Sequence, residues 1–242
     1  DNAGDGILRS TRFSAFYAYR LKINDQLAVK IGAEAGFNQT ALDWEQLVFP
    51  DELDPIDGPV ITTNEQRPDQ LNNTVFDDSA RLLLLSNRFH LGLGLKHLNT
   101  PNQGYLLVND NLSGGLPLRY TIHGGTELLV KAGNKVQMAS FISPNFLFVS
   151  QGPFKQLNIG AYAAAGPVFG GAWYRYTFEN SDAAILMLGF RQDFFKIGLS
   201  YDLTVSGLAG RSGGTYELTF GFFFDKGRKK AFDLNDCTKM FH

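Results

Sequence analysis

Long segments of this chain alternate between apolar and polar residues, and that alternation restricts the fold to β-structure. From Ile197 to Val205 every odd position is apolar and every even position is small or polar. The segments 13–21 and 216–224 follow the same period with few exceptions. Successive side chains of a strand point to opposite faces, so each segment has one apolar face and one mostly polar face.

The alternation predicts eleven strands, and many of them are 10 to 16 residues long. Soluble strands usually have about five or six residues, whereas a tilted strand that crosses a bilayer needs about 9–11. Strand length therefore favours an all-β fold, an antiparallel transmembrane β-barrel, over a soluble β-sandwich. We predict strands at residues 9–24, 26–38, 73–86, 88–98, 118–131, 135–150, 156–165, 168–178, 183–194, 196–206 and 214–224.

The amino-acid composition supports strands rather than helices in a membrane. Only 19% of the residues are charged, against about 25% in an average soluble domain, and 13% are aromatic. No stretch approaches the ~20 apolar residues that a membrane-spanning helix needs. The net charge of −2 gives no electrostatic reason to expect a nucleic acid partner.

The connections between the predicted strands alternate in length. Tight turns such as 24–25 and 86–87 follow odd-numbered strands. Long links such as 39–72 and 99–117 follow even-numbered strands, although two links of this set, near 151–155 and 179–182, are short as well. Outer-membrane barrels have short periplasmic turns and long outer loops, and they normally have an even number of strands. Because eleven is odd, we expect about 14 strands in the intact protein.

The same pattern predicts the domain organisation. We expect residues 1–224 to form an outer-membrane β-barrel that is incomplete at its N-terminus. Its last predicted strand ends in four aromatic residues between Phe220 and Phe224, which suits the aromatic girdle at a membrane interface. Residues 225–242 begin with a basic run, contain Cys237 and have no strand pattern. We therefore predict a periplasmic polar tail at 225–242.

The sequence lacks several common enzyme motifs, because it contains no Walker loop, HExxH or CxxC pattern. Its four histidines do not have the spacing of metal ligands. We expect a non-enzymatic protein with no catalytic residues, no metal and no cofactor. A barrel hydrolase that uses His97 or His123 in the lumen is an alternative. A passive outer-membrane channel is another, although Phe16 and Phe223, which we predict to point inward, are bulky.

The link 39–72 is the least regular part of the chain, and long loops inside compact domains are usually functional or disordered. Its aromatic residues predict that it packs on something, either in the lumen as a partial plug or against a partner. Its acidic residues lack the ligand spacing of a calcium loop. Candidates for partner contact or loop anchoring are Asp43, Trp44, Phe49, Asp51 and Asp54.

Three segments resemble the PorP/SprF family of type IX secretion proteins. Residues 14–22 resemble its opening strand, and Phe49–Pro55 resembles its acidic loop, with Glu-Leu at 52–53 where Gln-Ile is common. Residues 92–102 resemble its segment with Lys-His-Leu-Asn followed by Pro-Asn. The similarity runs from about residue 1 to 224, and the tail beyond it departs from the family.

The resemblance implies an outer-membrane β-barrel of Bacteroidetes that acts in type IX secretion, often for a large surface protein such as a gliding adhesin. It implies outer-membrane lipids, a secreted surface protein and other type IX secretion components as partners, and no catalytic residues. Residues of this chain that match the family motifs, without an assigned mechanism, are Asp51, Asp54, Lys96, His97 and Asn99.

Lys96 and His97 are adjacent, so on a strand their side chains point to opposite faces. They come just before the outer link that begins at Asn99, which places them at the rim of the barrel. We hypothesise that they anchor the acidic segment 51–54 through a charge-assisted contact.

Overall fold

The computed structural model describes nine ranges of the chain and contains no α-helix within them. Three short 3-10 helices, Gly4–Gly6, Trp44–Gln46 and Pro50–Glu52, interrupt the strands. In the described ranges no helix is long and apolar enough to cross a membrane. The described residues are 1–54, 56, 58–59, 62–104, 115–132, 140–179, 182–192, 194–205 and 214–222.

Fifteen strands are described, and thirteen of them form one sheet. They are β1 (Asn2–Ala3), β2 (Leu8–Lys22), β3 (Leu27–Leu42), β4 (Leu53–Asp54), β5 (Gly58–Pro59), β6 (Asn72–Ser86), β7 (Phe89–Lys96), β8 (Arg119–Thr126), β9 (Leu128–Lys131), β10 (Ser140–Gln151), β11 (Phe154–Ala165), β12 (Val168–Tyr176), β13 (Ala183–Gln192), β14 (Phe195–Thr204) and β15 (Thr215–Phe222).

The strands of the large sheet are hydrogen-bonded in chain order, with β9 beside β10 and a separate antiparallel hairpin of β4 and β5. The ladders from β8 to β15 are antiparallel throughout. An antiparallel sheet of neighbouring strands follows from the short turns, because tight turns can join only antiparallel strands.

All eleven predicted strands are confirmed, with one of them divided in two. The predicted strand 118–131 is interrupted at Glu127, whose backbone N–H donates to the Arg88 carbonyl, and β9 then pairs with β10 across a register shift. The first residues of the predicted strand 135–150 and the predicted turn at 133–134 lie outside the described residues. So does the tail 225–242.

The described residues divide into two compact units. The first contains 1–17, 33–80 and the described residues of 96–118. The second contains the remaining described residues. Both units have strands with an inverted burial pattern, in which apolar side chains are exposed and polar side chains are buried.

In the second unit the inverted pattern is clearest on β13 and β14. Leu186, Leu188 and Leu199 are more than half exposed. In the first unit, Glu34 and Asn38 on β3 are buried, whereas Phe37 between them is exposed. Exposed apolar rows of this kind are costly in water and match the lipid-facing band of an outer-membrane barrel.

The buried face of the second unit has an aromatic core. Phe141, Tyr162 and Phe169 pack edge to face, with ring centroids 5.5 Å and 6.1 Å apart. Glycine lets these rings lie close to the sheet, because a Cβ at Gly189 would overlap the Phe169 ring. This aromatic core does not test the prediction that Phe16 and Phe223 point inward. Phe16 is 66% exposed, and Phe223 lies outside the described residues.

Candidate functional site

Lys96 is the last residue of β7, and His97 follows it. The side chains of both residues lie near charged residues of the sheet. The ammonium of Lys96 lies 3.9 Å from the Glu34 carboxylate on β3. His97 has a φ of +62°, so the alternation of the strand stops there. The prediction that the two side chains point to opposite faces assumed a continuing strand, and the left-handed backbone at His97 removes that assumption.

His97 forms a buried contact with Asp77 on β6. Its Nδ1 lies 2.8 Å from Asp77 Oδ1, and the two residues are 6% and 8% exposed. A buried carboxylate without a hydrogen-bond donor is costly. The pair therefore fixes the end of β7 against the middle of β6.

The segment 97–104, which we call the clip, is hydrogen-bonded along β6. The backbone N–H of Asn99 donates to Asp78 Oδ1 at 3.1 Å, and its side-chain amide donates to the Phe76 carbonyl at 2.7 Å. Asn73 Nδ2 donates to the carbonyls of Asn102 and Gly104. The polar residues of the Lys-His-Leu-Asn motif thus hold the start of a long loop on the sheet.

The acidic loop, residues 43–71, is held at both ends by backbone hydrogen bonds. Leu42 N–H donates to the Leu71 carbonyl at 2.8 Å, and Asp43 N–H donates to the Ile7 carbonyl at 2.7 Å. The Asp43 carboxylate also accepts a 2.8 Å hydrogen bond from Gln46 Nε2. Asp43 thus makes one backbone and one side-chain hydrogen bond at the start of the loop.

Trp44 and Phe49 pack against each other inside the acidic loop. Their ring centroids are 4.8 Å apart, and both side chains are partly buried. The backbone N–H of Phe49 donates a 2.9 Å hydrogen bond to Glu52 Oε2, and this bond closes the 3-10 helix Pro50–Glu52. Glu45 pairs with Arg67 at 2.9 Å across the loop, although this exposed ion pair contributes little stability.

Asp51 fastens the two halves of the acidic loop together. Its carboxylate accepts from the Asn64 backbone N–H at 2.7 Å and from the Thr63 hydroxyl at 2.9 Å. The Asn64 hydrogen bond is the main cause that holds the pKa of Asp51 below its ordinary value of 3.8. Asp54 follows in β4, where its backbone pairs with Gly58.

The hypothesis that Lys96 and His97 hold segment 51–54 is wrong in its contacts. Lys96 lies nearest Glu34, His97 contacts Asp77, and Asp51 uses Thr63 and Asn64 instead. The physical reason is that Glu34 and Asp77 are buried on the sheet, where a carboxylate needs a donor more than an exposed carboxylate does.

Sequence reasoning missed four residues that complete this site, namely Glu34, Asn73, Asp77 and Asp78. For Glu34 and Asp77 the sequence did contain a signal, because each places a carboxylate in the middle of a long strand. A charged residue at such a place needs a partner. The partner could not be identified from local spacing, because the contacts cross between strands far apart in the chain.

Comparison with known proteins agrees with this architecture. The family model of the type IX secretion system membrane protein PorP/SprF matches residues 1–222. No curated protein and no solved structure matches the chain. The matched region includes every described residue, and with it the clip and the acidic loop. The chain therefore belongs to the PorP/SprF family of type IX secretion system membrane proteins.

Proposed function

We propose that this outer-membrane protein assists the secretion or surface attachment of a cognate surface protein, such as a gliding adhesin. Contact with that protein is made by the acidic loop and the clip. Membership of a type IX secretion family supports the role in secretion. The protein acts without catalysis, together with outer-membrane lipids and other type IX secretion components.

The observation that carries the proposal is the internal order of the acidic loop. A link of this length inside a compact domain is uncommon and is usually functional. Here it is tied at Asp43, folded around Trp44 and Phe49, and fastened by Asp51. A surface that is already ordered before binding loses less conformational entropy when a partner docks.

The clip supports the same role. His97, Asn99 and Asn73 hold the start of the second long loop against β6. The buried contact of His97 with Asp77 fixes one geometry because both members are paired. The Asn73 and Asn99 hydrogen bonds are exposed. In this role Lys96, His97 and Asn99 position the contact surface, and that surface is formed by Trp44, Phe49, Asp51 and Asp54.

The test measures how much of the cognate surface protein appears on cells that lack the native gene and carry a variant of it. Residues 44–69 are replaced by a short Gly-Ser linker, and a matched control carries a Gly-Ser insertion in the turn at 152–153. Both proteins are first shown to reach the outer membrane in equal amounts. The loop variant is expected to lose the cognate surface protein from the cell surface, and the control to retain it. Full display with the loop variant would overturn the proposal.

A further inference from the structure

The acidic loop exposes three apolar side chains, and two of them, Leu53 and Ile56, form what we call the apolar tip. Val48 and Leu53 are 57% and 53% exposed, and Ile56 is 91% exposed in the turn between β4 and β5. Exposed apolar side chains on a loop gain free energy when a partner covers them. The inverted burial of the strands has a different cause, because those residues lie along the large sheet, whereas Leu53 and Ile56 lie on the β4–β5 hairpin.

The tip rests on an ordered base. Leu53 and Asp54 pair with Pro59 and Gly58 in the β4–β5 hairpin. The Trp44–Phe49 contact lies before the hairpin in the chain. The hydrogen bonds from Thr63 and Asn64 to the Asp51 carboxylate join the residues before the hairpin to those after it. The apolar side chains are therefore presented by a folded hairpin.

The acidic loop carries a strong negative charge. Between residues 43 and 69 there are eight acidic residues and one basic residue, Arg67, which gives a net charge of −7. The whole chain has a net charge of only −2, so the negative charge is concentrated in this segment. Glu65 and Asp69 are exposed beside Arg67. Charge of one sign attracts a complementary surface and repels a surface of its own sign.

We propose that the apolar tip enters an apolar cleft in a protein partner whose rim is basic. The inference rests on the proposed function and names the chemistry of the partner surface. Lipid is a poorer occupant, because an anionic membrane surface repels a segment with a net charge of −7. Leu53 and Ile56 supply the apolar contact, and the surrounding carboxylates select for Lys and Arg.

The test uses three labelled peptides of equal length and the full-length protein in detergent micelles, with empty micelles as the blank. One peptide alternates Lys with Leu, the second alternates Glu with Leu, and the third alternates Lys with Ser. Fluorescence anisotropy at low salt is expected to give at least about tenfold tighter binding for the Lys-Leu peptide than for the other two. Its affinity is expected to fall steeply as salt screens the charges.

Variants then locate the binding. The double variant Leu53→Ser, Ile56→Ser is expected to weaken binding of the Lys-Leu peptide about tenfold. The matched control Phe154→Ser, at an exposed apolar residue of β11, is expected to leave that binding unchanged. Equal binding of the Lys-Ser peptide, equal binding of the Glu-Leu peptide, or no effect of the tip variant would each overturn the inference.

The cell assay separates this inference from the proposed function. Loss of display with the Gly-Ser loop, together with full display by the Leu53→Ser, Ile56→Ser variant, leaves the proposed function in place and removes the inference. Full display with the Gly-Ser loop removes the proposed function itself.

Discussion

The imidazole of His97 lies 2.8 Å from the carboxylate of Asp77, and both side chains are buried. One residue ends β7 in a left-handed conformation, and the other lies in the middle of β6. A single contact thus sets where the strand stops and where the clip begins.

Asp77→Ala is expected to loosen the clip and to lower the free energy of unfolding by about 1–3 kcal/mol, because it leaves a buried imidazole without its partner. Asp77→Asn retains an acceptor and is expected to cost less. Urea unfolding in lipid vesicles gives the free energy, and limited proteolysis reports cleavage within 97–104. Equal protease resistance of Asp77→Ala and the parent protein would show that the contact does not hold the clip.

Two glycines below the Phe169 ring provide a matched pair. Gly189→Ala is expected to destabilise the protein by about 1–3 kcal/mol, because the new methyl group overlaps the ring and approaches the Ile197 carbonyl. Gly198→Ala is expected to have little effect, because its Cβ would lie 3.7 Å from the ring. Urea unfolding of both variants tests the aromatic core. Equal costs would mean that the ring does not rest on Gly189.

Leu188 tests whether the exposed apolar rows face lipid. Leu188→Arg places a charge near the middle of β13 and is expected to cost about 2–4 kcal/mol. Phe154→Arg, at the start of β11 beside a turn, is expected to cost about 0–1 kcal/mol because it lies near the interface. Insertion into lipid vesicles at increasing urea measures both. A cost that does not depend on position would contradict a lipid-facing band.

The Asp51 contacts predict how the acidic loop responds to pH. Because the pKa of Asp51 is lowered in the folded loop, mainly by the Asn64 hydrogen bond, its contribution is present above pH 3.8 and is lost as the pH falls through the folded-state pKa. In a Trp173→Phe background, acrylamide quenching of Trp44 is expected to rise over that acidic range. Asp51→Asn is expected to remove this transition. If Asp51→Asn showed the same rise in quenching, the transition would belong to other carboxylates and not to Asp51.

The strands were predictable because their alternation is local and repeated. Each lipid-facing strand must expose one apolar row, so residues such as Leu199 and Leu203 indicate a strand without knowledge of its neighbours. The division of 118–131 was not predictable, because Glu127 leaves the strand to meet Arg88, 39 residues away. The short strands β1, β4 and β5 are too brief to have a period.

The site was only partly predictable. The sequence indicates Lys96, His97 and Asn99 through their motif, but it does not give Glu34 and Asp77 as the partners of the first two. Those contacts depend on which strands are neighbours and on the left-handed backbone at His97, a conformation that is uncommon for residues other than glycine. The order inside the acidic loop also depends on long-range contacts, such as Asp51 with Asn64.

Affinity purification of the full-length protein from native outer membranes tests the central claim most directly. The tag is placed on the C-terminal segment, and the preparation is first shown to retain known outer-membrane complexes. The account predicts recovery of one cognate surface protein and other type IX secretion components, with the surface protein lost when residues 44–69 are replaced by the Gly-Ser linker. Recovery of the protein alone, or equal recovery of the surface protein by both forms, would contradict the account.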